Sequence, residues 1–202
     1  MVTARPTFWP NLALALLLFT IVGSWFWLAP PDPAVQLAYM LLALTTGGLA
    51  IFALLRPPAR HRDERWWVLA ICLVSMLYAF GYRFDQQNTH LRVIFWGRMG
   101  LQFLAGTALL SLGKSYALLP ALREVRRGFF YGYVRHPVYA LYILADLIVV
   151  FLQPSLWNIG VAALGTGAFY LRARLEERVL RQDPIYANYM QTVPWRFFPG
   201  VH

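Results

Sequence analysis

Two uninterrupted apolar runs, residues 8–28 and 35–55, open the chain, and neither contains a charged side chain. In water such a run has to be covered on every face. A bilayer core needs no such cover and takes about 20 apolar residues per helix. Four more apolar segments follow, at 66–80, 93–112, 138–152 and 156–171. Backbone polar groups in lipid must be satisfied within the segment, so each is read as a helix. Composition agrees: of 202 residues, 59% are hydrophobic and 13% charged, against about 25% charged in a soluble domain. The third, fifth and sixth segments are short for a span and are expected to extend into their flanks. The fourth contains Arg98. The expected fold class is all-α integral membrane with five to six transmembrane helices. The five-span version replaces a span with a re-entrant hairpin. The first run is too long for a signal-peptide core of about 7–15 residues, and Ala29-Pro30-Pro31 makes a poor cleavage site. It is read as a retained first span.

The net charge is +9. Its distribution points to topology rather than to nucleic acid. Arg5, then Arg56, Arg60, Arg62 and Arg65, then Lys114, Arg123, Arg126, Arg127 and Arg135, then Arg172, Arg174, Arg178, Arg181 and Arg196 all fall on one side of a six-span chain. The opposite side keeps Arg83 and Arg92. Positive residues favour the cytoplasm, which places both termini there and predicts an inner-membrane protein. A basic inner face also attracts anionic headgroups of the bilayer. Cys72 is the single cysteine and lies in an apolar run, so it reads as a small buried hydrophobe; no disulfide or cysteine metal cluster can form. No metal site is expected. Gly47-Gly48 in the second run and Gly97, Gly100 and Gly106 in the fourth permit close helix packing, within the chain or between chains. Oligomeric state does not follow from them.

Polar chemistry gathers near the C-terminus. Gln153-Pro154-Ser155 breaks the last two apolar segments into an antiparallel helical hairpin. Before it stands Tyr131-Gly-Tyr133-Val-Arg135-His136-Pro137-Val138-Tyr139. Pro137 suits the first position of a helix, where its missing N–H costs nothing, and His136 then caps it. Free N–H groups and partial positive charge there suit a carboxylate or phosphate, with Arg135 beside them. After the hairpin come Arg172-Ala-Arg174-Leu-Glu176-Glu177. Arg172 and Glu176 are four apart and share a helical face. One membrane boundary would thus hold anion donors, a carboxylate and aromatic walls, suited to a zwitterionic ligand carrying a flat ring. The bland alternative is equally open at this level: flanking charge, an ordinary Glu177–Arg181 surface pair and interfacial tyrosines.

The ordered set Arg-His-Pro-x-Tyr (135–139), Glu-Glu-x-x-Leu (176–180), Tyr-x-x-Tyr (186–189) and Arg-x-x-Pro-Gly (196–200) resembles the isoprenylcysteine carboxyl methyltransferase and phospholipid methyltransferase superfamily. The resemblance covers residues 131–201. It implies N-terminal transmembrane helices over 1–120 and a catalytic region over 121–202, made of the hairpin and a cytoplasmic cofactor-binding tail. The implied cofactor is S-adenosyl-L-methionine, held without a Rossmann fold, in keeping with the lack of a G-x-G-x-x-G turn. By resemblance Tyr131, His136, Pro137, Val138, Tyr139 and Glu176 line its pocket, Arg172 faces the methyl acceptor, and Arg135 and Glu177 contribute to catalysis. The implied acceptor is a membrane lipid or prenylated small molecule, with a carboxylate needing no general base and an amine able to give its proton to Glu177. Ala140 replaces a common glycine, Phe130 a frequent proline, and Asp183-Pro184 a common Phe-Gly. Two other readings stay open. A sterol-type reductase using NADPH shares Arg-His-Pro-x-Tyr, but typically carries Gly-Asp or Gly-Glu next, where this chain has Ala140-Leu141. A non-enzymatic membrane scaffold protein is the other.

Arg98 and Asp146 are the charges deepest in the expected spans. Counting about 1.5 Å per residue from the outer ends puts both at similar depth, roughly 8–9 Å. Charges there pair or face a cavity. They are expected to face each other, with Gln102 one turn below Arg98, either as a helix-locking pair or as the polar end of a substrate cavity.

Overall fold

The computed structural model describes residues 8–28, 32–55, 57, 61–63, 65–85, 87–122, 125 and 127–201. Arg5, Arg56, Arg60, Arg123 and Arg126, which carry part of the charge argument, lie outside them, as do Pro30, Pro31 and Pro58. Each of the six apolar segments is a helix: α1 (Phe8–Leu28), α2 (Pro33–Leu55), α3 (Trp66–Leu77), α4 (Leu91–Leu112), α5 (Pro137–Leu152) and α6 (Leu156–Leu180). A short α7 (Pro184–Thr192) follows. Two helices, Pro33–Leu55 and Leu91–Ser115, are long and apolar enough to cross a membrane. Large apolar side chains stand exposed on the outside, among them Leu44, Phe80, Phe151 and Leu156. An apolar surface of that breadth marks a face that water does not cover.

Two expectations about lengths part ways. α6 does extend, running to Leu180, because nothing in Arg172–Leu180 breaks a helix. α3 instead stops at Leu77 and gives way to one 3₁₀ turn, Tyr78–Gly81. That turn sends the Tyr78 ring against Gly165 of α6, where an added Cβ would lie 2.2 Å from the ring. The fold is also not purely α: His61–Arg62 (β1) and Ala121–Leu122 (β2) form a two-residue antiparallel ladder, His61 opposite Leu122. The ladder joins the loop after α2 to the loop after α4.

α1 packs on α2, α2 on α4, α4 on α5, α5 on α6 and α6 on α3. The α2–α4 crossing uses Gly106, where a Cβ would come 2.6 Å from Thr45 Oγ1. Gly47 and Gly100, by contrast, face open space. The main core lies between α4, α5 and α6, with Ala105, Val138, Tyr139, Phe169 and Ala173. Cys72 is fully buried beside Val68 and Leu175, as a small hydrophobe. At the hairpin tip, the α6 cap Ser155 accepts from Asn158 N–H. Buried Asn158 accepts from Arg83 N–H and donates to the Arg83 and Gln153 carbonyls, all near 3 Å. The tip is therefore fixed to the loop before α4, and the other end of the hairpin is held in register for the site.

Candidate functional site

The start of α5 is built by the C-terminal tail. Pro137 occupies the first turn and His136 the cap, with no side-chain capping bond. Arg135 and His136 instead donate their backbone N–H groups to the Trp195 and Arg196 carbonyls, each at 2.9 Å. These bonds fix the residues before the helix; the first-turn N–H groups of α5 are those of Val138 and Tyr139. The tail can turn back because Arg196 N–H bonds the Val201 carbonyl at 2.7 Å across Gly200, whose φ of +92° favours glycine. Arg-x-x-Pro-Gly is thus a docking turn.

Glu177 is the hub under this turn. Its side chain is 2% exposed and accepts from Arg135 Nε at 2.9 Å and from Arg196 Nε and Nη2 at 3.1 and 2.9 Å. His136 Nε2 lies 3.2 Å away. Burial opposes its charge, but the hydrogen bonds from His136 and Arg196 and the Arg135 charge prevail, so its carboxyl is held well below the usual carboxylate range. The same pairing raises the Arg196 guanidinium. Arg135 Nη1 also donates to the Val193 and Pro194 carbonyls. Glu177 is absent from the walls of the cavity described below. A carboxylate saturated by cations and turned away from the cavity is a poor proton acceptor, so the chemistry expected of Glu177 becomes a holding role. The Glu177–Arg181 pair is present at 3.9 Å, but Glu177 is buried rather than on the surface and its short contacts are to Arg135 and Arg196.

Glu176, one residue earlier on α6, faces the other way. Tyr139 Oη donates to its Oε1 at 2.5 Å and Arg172 Nε to the same oxygen at 3.1 Å. Oε2 has only His136 Nδ1 nearby, at 3.6 Å, too long for a hydrogen bond. This is the carboxylate oxygen left to a ligand. Arg172 is buried and anchored: Nη1 donates to Ser75 Oγ at 3.0 Å, Nη2 to the Leu118 carbonyl at 2.8 Å, and the group sits 5.6 Å over the Tyr139 ring. Ser75 and the Leu118 carbonyl could not be found from the sequence, because no local pattern ties α3 or this loop to Arg172.

An aromatic column stands behind these charges. His136 stacks on Tyr139 at 5.4 Å, and Tyr139 on Phe169 at 5.2 Å. α7 closes this end of the site. Asp183 caps it by accepting from Ile185 N–H, and Tyr189 Oη donates to the Tyr131 carbonyl at 2.6 Å. Burial pushes the Tyr189 phenol up to about 12 and that of Tyr186 higher still. Both stay neutral donors. The Tyr186/Tyr189 pair is legible as Tyr-x-x-Tyr, but its place opposite Tyr131 is not.

These groups line one end of a cavity of about 700 Å³. Tyr131, Arg135, His136, Val138, Tyr139, Arg172 and Glu176 are in its wall; Pro137 and Glu177 are not. The lining continues past Tyr142 to Arg98, Gln102 and Asp146, and includes Leu18, Leu42 and Leu49 of α1 and α2. Arg98 and Asp146 do face each other, Nη1 to Oδ1 at 3.7 Å. Tyr78 Oη donates to the other Asp146 oxygen at 2.7 Å, and Arg98 lies 5.1 Å over the Tyr82 ring.

Comparison with known sequences gives one positive result. Residues 98–182 match the isoprenylcysteine carboxyl methyltransferase (ICMT) family. The matched segment begins at Arg98 and takes in α5, α6, Arg135, His136, Tyr139, Arg172, Glu176 and Glu177. A comparison with curated proteins finds no match.

Proposed function

Since the chain carries the isoprenylcysteine carboxyl methyltransferase family region, and so belongs with a family of methyltransferases, we propose that it transfers a methyl group from S-adenosyl-L-methionine to a lipophilic acceptor at the cytoplasmic face of a membrane. One observation carries this reading: Glu176 Oε2 stands open to a cavity that is aromatic and charged at one end and largely apolar beyond it, as far as Arg98 and Asp146. The donor set fits the cofactor. Glu176 offers a carboxylate to its amino or hydroxyl groups, Arg135 a cation near its carboxylate, and Tyr131 and Tyr186 flat faces for its ring. When bound, S-adenosyl-L-methionine supplies a methyl group made electrophilic by its sulfonium.

The residues then have distinct tasks. Tyr131, His136, Val138, Tyr139 and Glu176 line the cofactor pocket. Pro137 fixes the start of α5 rather than touching the ligand. Arg172, tied to Ser75, Leu118 and Glu176, orients the acceptor headgroup, and its anchoring keeps that orientation rigid. Alignment of reactants of this kind contributes on the order of 7–11 kcal/mol. Glu177 acts through position, holding Arg135 and Arg196 and with them the α5 entry to the tail. A carboxylate acceptor needs no base. An amine acceptor would find Glu176, not Glu177, as the carboxylate in reach. The apolar arm of the cavity admits a lipid or prenyl chain from between the helices.

The same reading takes all six helices as spans, with both termini on the cytoplasmic side of the inner membrane. The β1–β2 ladder supports it, because it joins two loops that a six-span chain puts on one side. Residues 1–120 and 121–202 then divide the labour, the first supplying the lipid arm and Ser75, the second the cofactor end.

Membranes containing the chain, given methyl-labelled S-adenosyl-L-methionine and a total lipid extract, are expected to transfer label to the organic phase. Arg172→Lys, which keeps the charge but not the three-way hydrogen bonding, is expected to lose at least a hundredfold in transfer while cofactor affinity changes less than threefold. Loss of cofactor binding instead would remove Arg172 from the acceptor side.

A further inference from the structure

The far end of the cavity also carries charge. Asp146 is 2% exposed, and of its two carboxylate oxygens one accepts from Tyr78. Among the described residues the other, Oδ1, has no hydrogen-bond partner, and neither has Arg98 Nη1, although 3.7 Å separates them. The Tyr82 hydroxyl is a third buried group without a partner. A pair that served only to lock α4 to α5 would close to ordinary charge-assisted hydrogen-bond length, about 2.7–2.9 Å. This one stands apart, and both residues, with Gln102, are in the cavity wall. A hydroxyl set to the side of the pair can donate to Asp146 Oδ1 and accept from Arg98 Nη1. Buried polar atoms in such a setting seek a partner.

The helix gives the spacing. Tyr139 and Asp146 are seven residues apart on α5, so they lie on one face about 10 Å apart along the axis. Between them the wall is Tyr142, Ala145, Phe169 and Leu109.

Resting on the methyltransferase reading of the near end, we propose that Arg98, Asp146 and Gln102 form a second binding subsite that reads a hydrogen-bonding group on the tail of the methyl acceptor. The acceptor class is an amphiphile polar at both ends, with an apolar stretch of about 10 Å between, rather than a lipid with a plain hydrocarbon tail. Tyr78 holds Asp146 in place. Tyr78 is itself held by the absence of a side chain at Gly165.

The test uses the full chain in lipid nanodiscs and two probes matched except at the tail, decanoic acid and 10-hydroxydecanoic acid. Calorimetry is expected to show the hydroxy acid binding at least tenfold more tightly. The ratio is expected to fall to about one in the double variant Arg98→Leu/Asp146→Leu, which removes both charges together and so strands neither. A ratio near one in the wild-type protein, no binding of the hydroxy acid, or an unchanged ratio in a cooperatively melting double variant each overturns the subsite. If the double variant does not fold, the wild-type ratio decides. S-adenosyl-L-methionine titrated into the same preparation separates the two claims: normal cofactor binding with a ratio of one sinks the subsite alone, and a tenfold ratio without cofactor binding sinks the methyltransferase reading alone.

Discussion

Glu176 and Glu177 are neighbours on α6 with opposite fates. The helix turns one toward the cavity and the other toward Arg135 and Arg196. Removing a buried ionic partner strands charge and costs about 3–5 kcal/mol, so Glu177→Gln is expected to lower the melting midpoint sharply at neutral pH. The pH dependence follows from the sign of the shift. The carboxyl is depressed in the folded chain, while an unfolded glutamate titrates near about 4.3. Its stabilisation is therefore fully present above about pH 4.3 and drains away as pH falls below that. Melts from pH 7 to pH 3 are expected to show this acid loss in the wild type and a shallower one in Glu177→Gln. A wild type flat to pH 3 would contradict the hub. The pairing of Arg172 with Glu176 was legible from four-residue spacing, and that of Arg98 with Asp146 from equal depth, because helical geometry alone fixes both. Arg196 with Glu177 was not, since an irregular tail intervenes and no periodicity reports where it docks.

At the scale of elements, α6 is the spine. It carries Asn158 at the tip, Gly165 against Tyr78, then Arg172, Glu176 and Glu177. All six apolar segments were readable as helices because hydrophobic length is a strong signal. The early end of α3 was not, for it is set by contact of Tyr78 with α6 rather than by residues in α3. Gly165→Ala tests that contact. Alanine is the better helix former by about 1 kcal/mol, yet its Cβ would strike the Tyr78 ring. Overpacking of this kind costs about 1–3 kcal/mol, so the melting midpoint is expected to fall and the Tyr78–Asp146 bond to be displaced. A rise in the midpoint would mean that the ring yields freely and does not position Asp146. The β1–β2 ladder was equally hidden, because two residues on each strand leave no alternating pattern to read.

The whole molecule is one cavity with two differently charged ends, walled by helices from both halves of the chain. The tail, α7 and the Arg135–His136 entry close the Glu176 end; at the hairpin tip Asn158 ties α6 to the loop before α4. On the proposed reading, the Glu176 end takes a charged, ring-bearing donor and the remainder takes the acceptor's apolar stretch. Calorimetric titration of the purified, lipid-reconstituted chain with S-adenosyl-L-methionine tests this directly. The account predicts saturable binding, weakened at least tenfold by Glu176→Gln in a protein that still melts cooperatively, and no heat from NADPH. Saturable binding of NADPH in its place, or S-adenosyl-L-methionine binding that Glu176→Gln leaves unchanged, would contradict it.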